Sequence, residues 1–108
     1  MKQVTTVTDL EKLFAQSADT PVLLFKHSTQ CPISAAAHKQ FSTFSKHPKG
    51  AVCAVVRVLE DRVVSDAVAK RTGVRHESPQ ALLIRNGSVS WHTSHYDITA
   101  DALSAALS

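Results

Sequence analysis

Val22-Leu23-Leu24-Phe25-Lys26-His27-Ser28-Thr29-Gln30-Cys31-Pro32-Ile33-Ser34 holds the transition that decides the fold. Its first four residues are a short apolar run, which reads as a buried strand. Beyond Cys31, the residues Ile33, Ala37, Phe41 and Phe44 recur at helical spacing. They predict a helix from about Pro32 to Lys46. Proline suits its first turn, where the missing N–H would have no helical partner anyway. A strand therefore delivers a single cysteine to the start of a helix. Cys31 and Ser34 stand where a Cys-x-x-Cys motif would place two sulfurs, with serine in the second position.

Outward from this point the elements follow in order. Thr8-Asp9-Leu10-Glu11 reads as a capping box, and Leu10, Leu13 and Phe14 continue at helical spacing. Asp19-Thr20-Pro21 stops that first helix. On the other side, His47-Pro48-Lys49-Gly50 is a loop. Ala51 to Val58 is apolar on both faces, as a central parallel strand should be. A third helix spans roughly Glu60 to Thr72, buries Val64, Ala67 and Val68, and ends at Gly73. Ala81 to Ile84 and Ser88 to Trp91 flank Asn86-Gly87, a strong signal for a two-residue hairpin turn. Thr99 caps a last helix that buries Leu103, Ala106 and Leu107. A further short strand is expected at Val4 to Val7. The sum is one α/β domain over residues 1–108. It has a mixed sheet of four to five strands with helices on both faces, the thioredoxin-like arrangement.

Composition narrows the function. At 108 residues the chain suits a single domain. Its longest apolar run, residues 51–56, is far too short to span a bilayer. The start, Met1-Lys2-Gln3-Val4-Thr5-Thr6, lacks the apolar segment of a secretory leader, and two cysteines make no disulfide scaffold. A cytoplasmic setting is expected, with no membrane partner. The formal charge is +3, but the basic residues are dispersed, which argues against nucleic acid. A mild positive field favours anionic small ligands or acidic partners.

The chemistry centres on Cys31. A thiolate attacks a disulfide, and helix N-termini lower cysteine pKa values to about 3.5–7.5 from about 8.5. Lys26 and His27, at the end of the preceding strand, would add positive potential. The Ser34 hydroxyl, one turn on, could donate to the thiolate but cannot resolve a mixed disulfide. The bland reading is an ordinary cysteine at a helix cap. Ser78-Pro79 precedes a strand and, in a thioredoxin-like fold, would be a cis peptide opposite the active cysteine. The backbone at Ser78 could then pair with an incoming peptide or thiol. Cys53 lies in the most apolar strand. It reads as structural, with a resolving role as the less favoured alternative. His92-x-x-His95 lacks a third ligand nearby, so no metal is expected.

Phe25 to Ser34, with Ser78-Pro79 downstream, resembles the YtxJ-like monothiol bacilliredoxins. The specific part is Thr29-Gln30-Cys31-Pro32-Ile33-Ser34. The resemblance implies a thioredoxin fold and a monothiol oxidoreductase that removes bacillithiol from S-bacillithiolated proteins. Cys31 would be the nucleophile. Lys26, Thr29, Pro32, Ser34, Ser78 and Pro79 would stabilise the thiolate or bind substrate. Bacillithiol would serve as co-substrate, with no tightly bound cofactor, and the protein would act as a monomer. Thioredoxins carry a buried acid six residues before the nucleophile, whereas this chain has Phe25 there. A monothiol cycle fits that departure. Two competing readings remain: a glutaredoxin-like iron–sulfur cluster module, which Pro32 disfavours, and a non-catalytic interaction domain, which the retained Cys31 disfavours.

Overall fold

A computed structural model describes residues 1–108. The elements run β1 (Lys2–Gln3), α1 (Val7–Gln16), β2 (Val22–His27), α2 (Pro32–Ser45) and β3 (Val52–Arg57). They continue through α3 (Arg62–Thr72), β4 (Gln80–Arg85), β5 (Ser88–Ser94), a 3-10 turn (His95–Asp97) and α4 (Ala100–Leu107). The five strands form one mixed sheet in the order β1-β3-β2-β4-β5. Both β1 and β2 run parallel to β3, while β4 is antiparallel to β2 and to β5.

Alternation along β2 sorts its side chains onto two faces. Val22 and Leu24 join Leu10, Leu13, Phe14, Val64 and Val68 in the core beneath α1 and α3. Leu23 and Phe25 join Ala37, Phe41, Phe44 and Leu103 in the core beneath α2 and α4. A strand this apolar on both sides belongs in the middle of the sheet, and β2 lies third of five. The thioredoxin-like α/β arrangement read from the sequence is the one observed.

Several boundaries move. The first strand is Lys2–Gln3, not Val4 to Val7. Val4 is buried and its N–H still reaches Val55 O at 2.9 Å, after which the chain turns into α1. The cap of α1 is Thr6, whose Oγ1 accepts the Asp9 N–H at 3.1 Å. The Thr8–Glu11 capping box therefore lies inside the helix: a threonine two residues earlier offers the same spacing to a free N–H. In α2, Ser34 is buried and Ile33 only half-buried, while in α3 Ser65 is buried and Ala67 half-buried. In α4 only Leu103 is fully buried.

The turns follow the sequence. Asn86 and Gly87 have φ of 51° and 78°, the left-handed pair that a tight hairpin of this twist requires. Gly73 ends α3 at φ 72° and donates its N–H to Ala69 O at 2.9 Å. The Thr99 Oγ1 caps α4 by accepting the Ala102 N–H at 3.0 Å. No helix is long and apolar enough to cross a membrane.

Candidate active site

The site is assembled where β2 ends and α2 begins. Cys31 is the N-cap of α2, in extended backbone with φ −117°. Its N–H closes a turn onto Ser28 O at 3.3 Å, and its carbonyl accepts the Ala35 N–H at 3.0 Å, the first bond of the helix. The side chain is half-buried, in no disulfide, and makes no capping hydrogen bond. The sulfur therefore sits at the end of the helix where the backbone donors and the positive end of the dipole lie. Pro32 is exposed and forms the first helical position, which removes one of those donors.

Ser34 is wholly buried. Its Oγ accepts the Ser28 N–H at 2.9 Å and lies 2.7 Å from His27 Nδ1. The expected donation from Ser34 to the sulfur is therefore corrected. The hydroxyl is engaged by the turn and the imidazole, and no hydrogen bond joins it to Cys31. It ties three pieces together: the end of β2, the cysteine turn and the first turn of α2.

His27 is the residue that sequence reasoning undervalued. It faces α2, on the same side of β2 as Phe25, and stacks on Phe25 at 5.5 Å between ring centroids. His38 from α2 lies 4.6 Å from it between ring centroids, and Phe41 also stacks on Phe25, at 5.0 Å. Burial pushes the His27 pKa below the usual histidine range, and the neighbouring His38 pushes it the same way, against the pull of Glu60. At neutral pH the ring is uncharged, so it does not supply the positive potential assigned to it from sequence. The strand alternation that puts residues 25 and 27 on the α2 side was the available signal.

Lys26 is also displaced from its expected role. It follows Leu24 on the opposite face, toward α3, and is completely buried. It therefore cannot contact a ligand at the Cys31 surface. Its Nζ has no hydrogen-bond partner. Burial lowers its pKa from 10.5 to about 8, with Asp66 pulling the other way.

Thr29 remains at the site. Its Oγ1 donates to Glu60 Oε2 at 3.2 Å, which links the cysteine turn to the connection between β3 and α3. Ser78-Pro79 is the one cis peptide bond. Lys26 pairs with Gln80 across β2 and β4, so Pro79 lies one residue beyond the ladder, at the same end of the sheet as His27 and the cysteine turn. The buried Gln80 side chain holds the approach to it, donating from Nε2 to Arg75 O at 3.0 Å and accepting the Glu77 N–H at 3.5 Å. Pro79 O accepts the His95 N–H at 3.0 Å, which secures the chain after β5 to the same loop.

Cys53 is not brought to this site. It pairs with Leu23, whereas the ladder reaches its site end at His27 and Arg57. Four residues of strand, at about 3.3 Å each, separate the two levels by about 13 Å. Cys53 is half-buried rather than buried, and burial raises its thiol pKa.

The sheet order, the cis proline loop and one cysteine at the head of α2 define the class: a thioredoxin-fold protein of the oxidoreductase kind with a one-sulfur site. Residues 2–103 match the family described as monothiol bacilliredoxin BrxC. The chain belongs to that family. A solved protein described as a candidate oxidoreductase with a thioredoxin fold is 34% identical, with a TM-score of 0.90 over 99% of this chain and 93% of that one. The thioredoxin of Fasciola hepatica is 16% identical, with a TM-score of 0.75 over 97% and 92% of the two chains. That of Malassezia sympodialis is 17% identical, with a TM-score of 0.78 over 99% and 87%. The two thioredoxins are similar in fold.

Proposed function

We propose that the protein removes bacillithiol from S-bacillithiolated proteins by thiol–disulfide exchange at Cys31. The observation that carries this reading is the isolation of Cys31 at the head of α2, at the same end of the sheet as the cis Ser78-Pro79 loop, with no second sulfur at that end. The Cys31 thiolate attacks the bacillithiol sulfur of the mixed disulfide. The client sulfur leaves as a thiolate and takes a proton from water. Cys31 is then joined to bacillithiol. A second bacillithiol thiolate attacks that disulfide, releases the Cys31 thiolate and departs as the oxidised small thiol. Ser34 cannot intervene, because oxygen does not displace the small thiol and its hydroxyl is already engaged. Cleft electrostatics must come from the helix terminus and the backbone at Ser78, since Lys26 is buried and His27 neutral.

The test is intact-mass analysis with a bacillithiolated client. Wild type should remove the client adduct and carry one bacillithiol on Cys31 when the small thiol is limiting. Removal by the Cys31→Ser variant, or equal transfer from a glutathionylated client, would overturn the assignment.

A further inference from the structure

We infer that a cavity between α2 and the 3-10 turn is a client-recognition subsite, which receives one apolar side chain two residues away from the client cysteine. This deepens the proposed function and rests on Cys31 reacting with disulfides of client proteins.

The cavity has a volume of about 220 Å³. Its buried floor is Ala37 and Ile98, and Ala36, Gln40, His95 and Tyr96 stand around it. Both sides lead back to the reactive end of the sheet. Ala36 lies five residues along α2 from Cys31, which is about 7.5 Å of helix. Across the cavity, His95 donates its N–H to Pro79 O at 3.0 Å. In an extended client segment the next side chain on the same face as the cysteine is two residues away, at about 7 Å. That spacing matches the step from Cys31 to the cavity.

The lining selects the occupant. At this volume the cavity is smaller than the roughly 300–1,000 Å³ of sites that take a whole small molecule. Gln40 Oε1 is already occupied, accepting the Ala100 N–H at 3.0 Å, and His95 Nδ1 lies 3.0 Å from Ser94 Oγ. The segment from His95 to Asp101 carries Asp97 and Asp101 and no lysine or arginine, which disfavours an anionic guest. An apolar side chain meets the methyl floor without requiring a hydrogen bond. Tyr96, the only tyrosine, is 72% exposed beside that floor. Tyrosine is enriched where one protein anchors another. His95 holds φ at 55°, a region that non-glycine residues rarely adopt, and strained backbone of this kind collects at binding sites.

The experiment uses short peptides with one cysteine, held in a mixed disulfide with thionitrobenzoate, and the full chain carrying Cys53→Ser. The Cys31 thiolate attacks the peptide sulfur, the new disulfide forms, and thionitrobenzoate leaves as its coloured thiolate, which reports the rate. Leucine in place of alanine two residues before or after the peptide cysteine should raise the rate constant about tenfold on one of the two sides. Ala36→Phe, which fills the cavity from an exposed helix position, and Tyr96→Ala, which removes a wall, should each bring the leucine-to-alanine ratio close to unity. In the trapped Cys31–peptide disulfide, NMR should find the leucine methyls against those of Ala37 and Ile98. Equal rates for leucine and alanine on both sides overturn the inference, as does a preference that survives Ala36→Phe. So does a bacillithiol adduct on Cys31 that by itself contacts the Ala37 and Ile98 methyls, since the small thiol would then be the occupant. The peptide assay uses no bacillithiol. A protein that prefers leucine yet leaves a bacillithiolated client untouched overturns the proposed function alone, and one that clears the client without that preference overturns this inference alone.

Discussion

The Ser34 hydroxyl oxygen lies 2.7 Å from His27 Nδ1. The position at which a dithiol protein would keep its second sulfur is therefore occupied by a bridge between β2 and α2. A thiol is a weak hydrogen-bond partner, so serine at this place gains a firm tie as it gives up a resolving group.

Removing that tie should be felt in stability. Ser34→Ala leaves the Ser28 N–H and the His27 ring without their buried partner, and an unsatisfied group of this kind is worth about 1–3 kcal/mol. Urea unfolding of the variant should give a lower midpoint with an unchanged slope. A variant as stable as wild type would show that the bridge is incidental.

Ser34→Cys restores the Cys-x-x-Cys spacing at the head of α2. Under mild oxidation this variant should lose two hydrogens and form an internal disulfide, with the bacillithiol adduct on Cys31 short-lived. Wild type should keep the adduct, because Cys53 sits about 13 Å along the strands. Cys53→Ser should behave as wild type in the same mass measurement, within about twofold in rate, since its sulfur is remote and its raised pKa keeps it a thiol. Adduct decay in wild type that stops in Cys53→Ser would show that the two sulfurs meet.

Lys26 gives a prediction with a direction in pH. Its ammonium is buried without a partner, and its pKa falls from 10.5 to about 8 in the folded protein. Between those values the unfolded chain holds a proton that the folded chain has released, so stability rises with pH across that window. Lys26→Met removes the buried charge and keeps most of the packing. Near pH 7 it should stabilise the protein by about 1–3 kcal/mol, and the gap should narrow as pH rises through about 8. Denaturation at several pH values reads both effects, and a destabilised variant would mean that Lys26 has a partner when folded.

Much of this was legible in the sequence because it rests on local chemistry. Asn86-Gly87 specifies its turn, Gly73 its helix end, and the continuous apolar run at Val22 to Phe25 its central place in the sheet. Cys31 at a strand–helix junction followed from the same local signals. What escaped was orientation. Lys26 and His27 are adjacent and both basic, yet alternation sends one under α3 and the other under α2, and only the packed sheet says which. The Thr6 cap escaped because two threonines, two residues apart, compete for one helix start. Which N–H is free depends on where Val4 enters the core. The Ser34–His27 bond escaped for a like reason: it joins residues seven apart whose meeting depends on how α2 lies against β2.

The histidine itself supplies a last prediction. Burial and His38 hold His27 below its ordinary value of 6.5, so the folded chain resists protonation there. Just below 6.5 the unfolded chain binds a proton that the folded chain does not, and stability must fall as pH drops through that range. Above 6.5 both states are neutral at this residue and the contribution is constant. His27→Phe keeps an aromatic ring against Phe25 and abolishes the titration. The loss of stability between about pH 7 and pH 5 should therefore be shallower in the variant than in wild type. The residual slope belongs to other groups, among them His76, which burial and Lys26 also hold low. Parallel slopes in the two proteins would mean that His27 titrates alike in both states and is not held neutral by the stack.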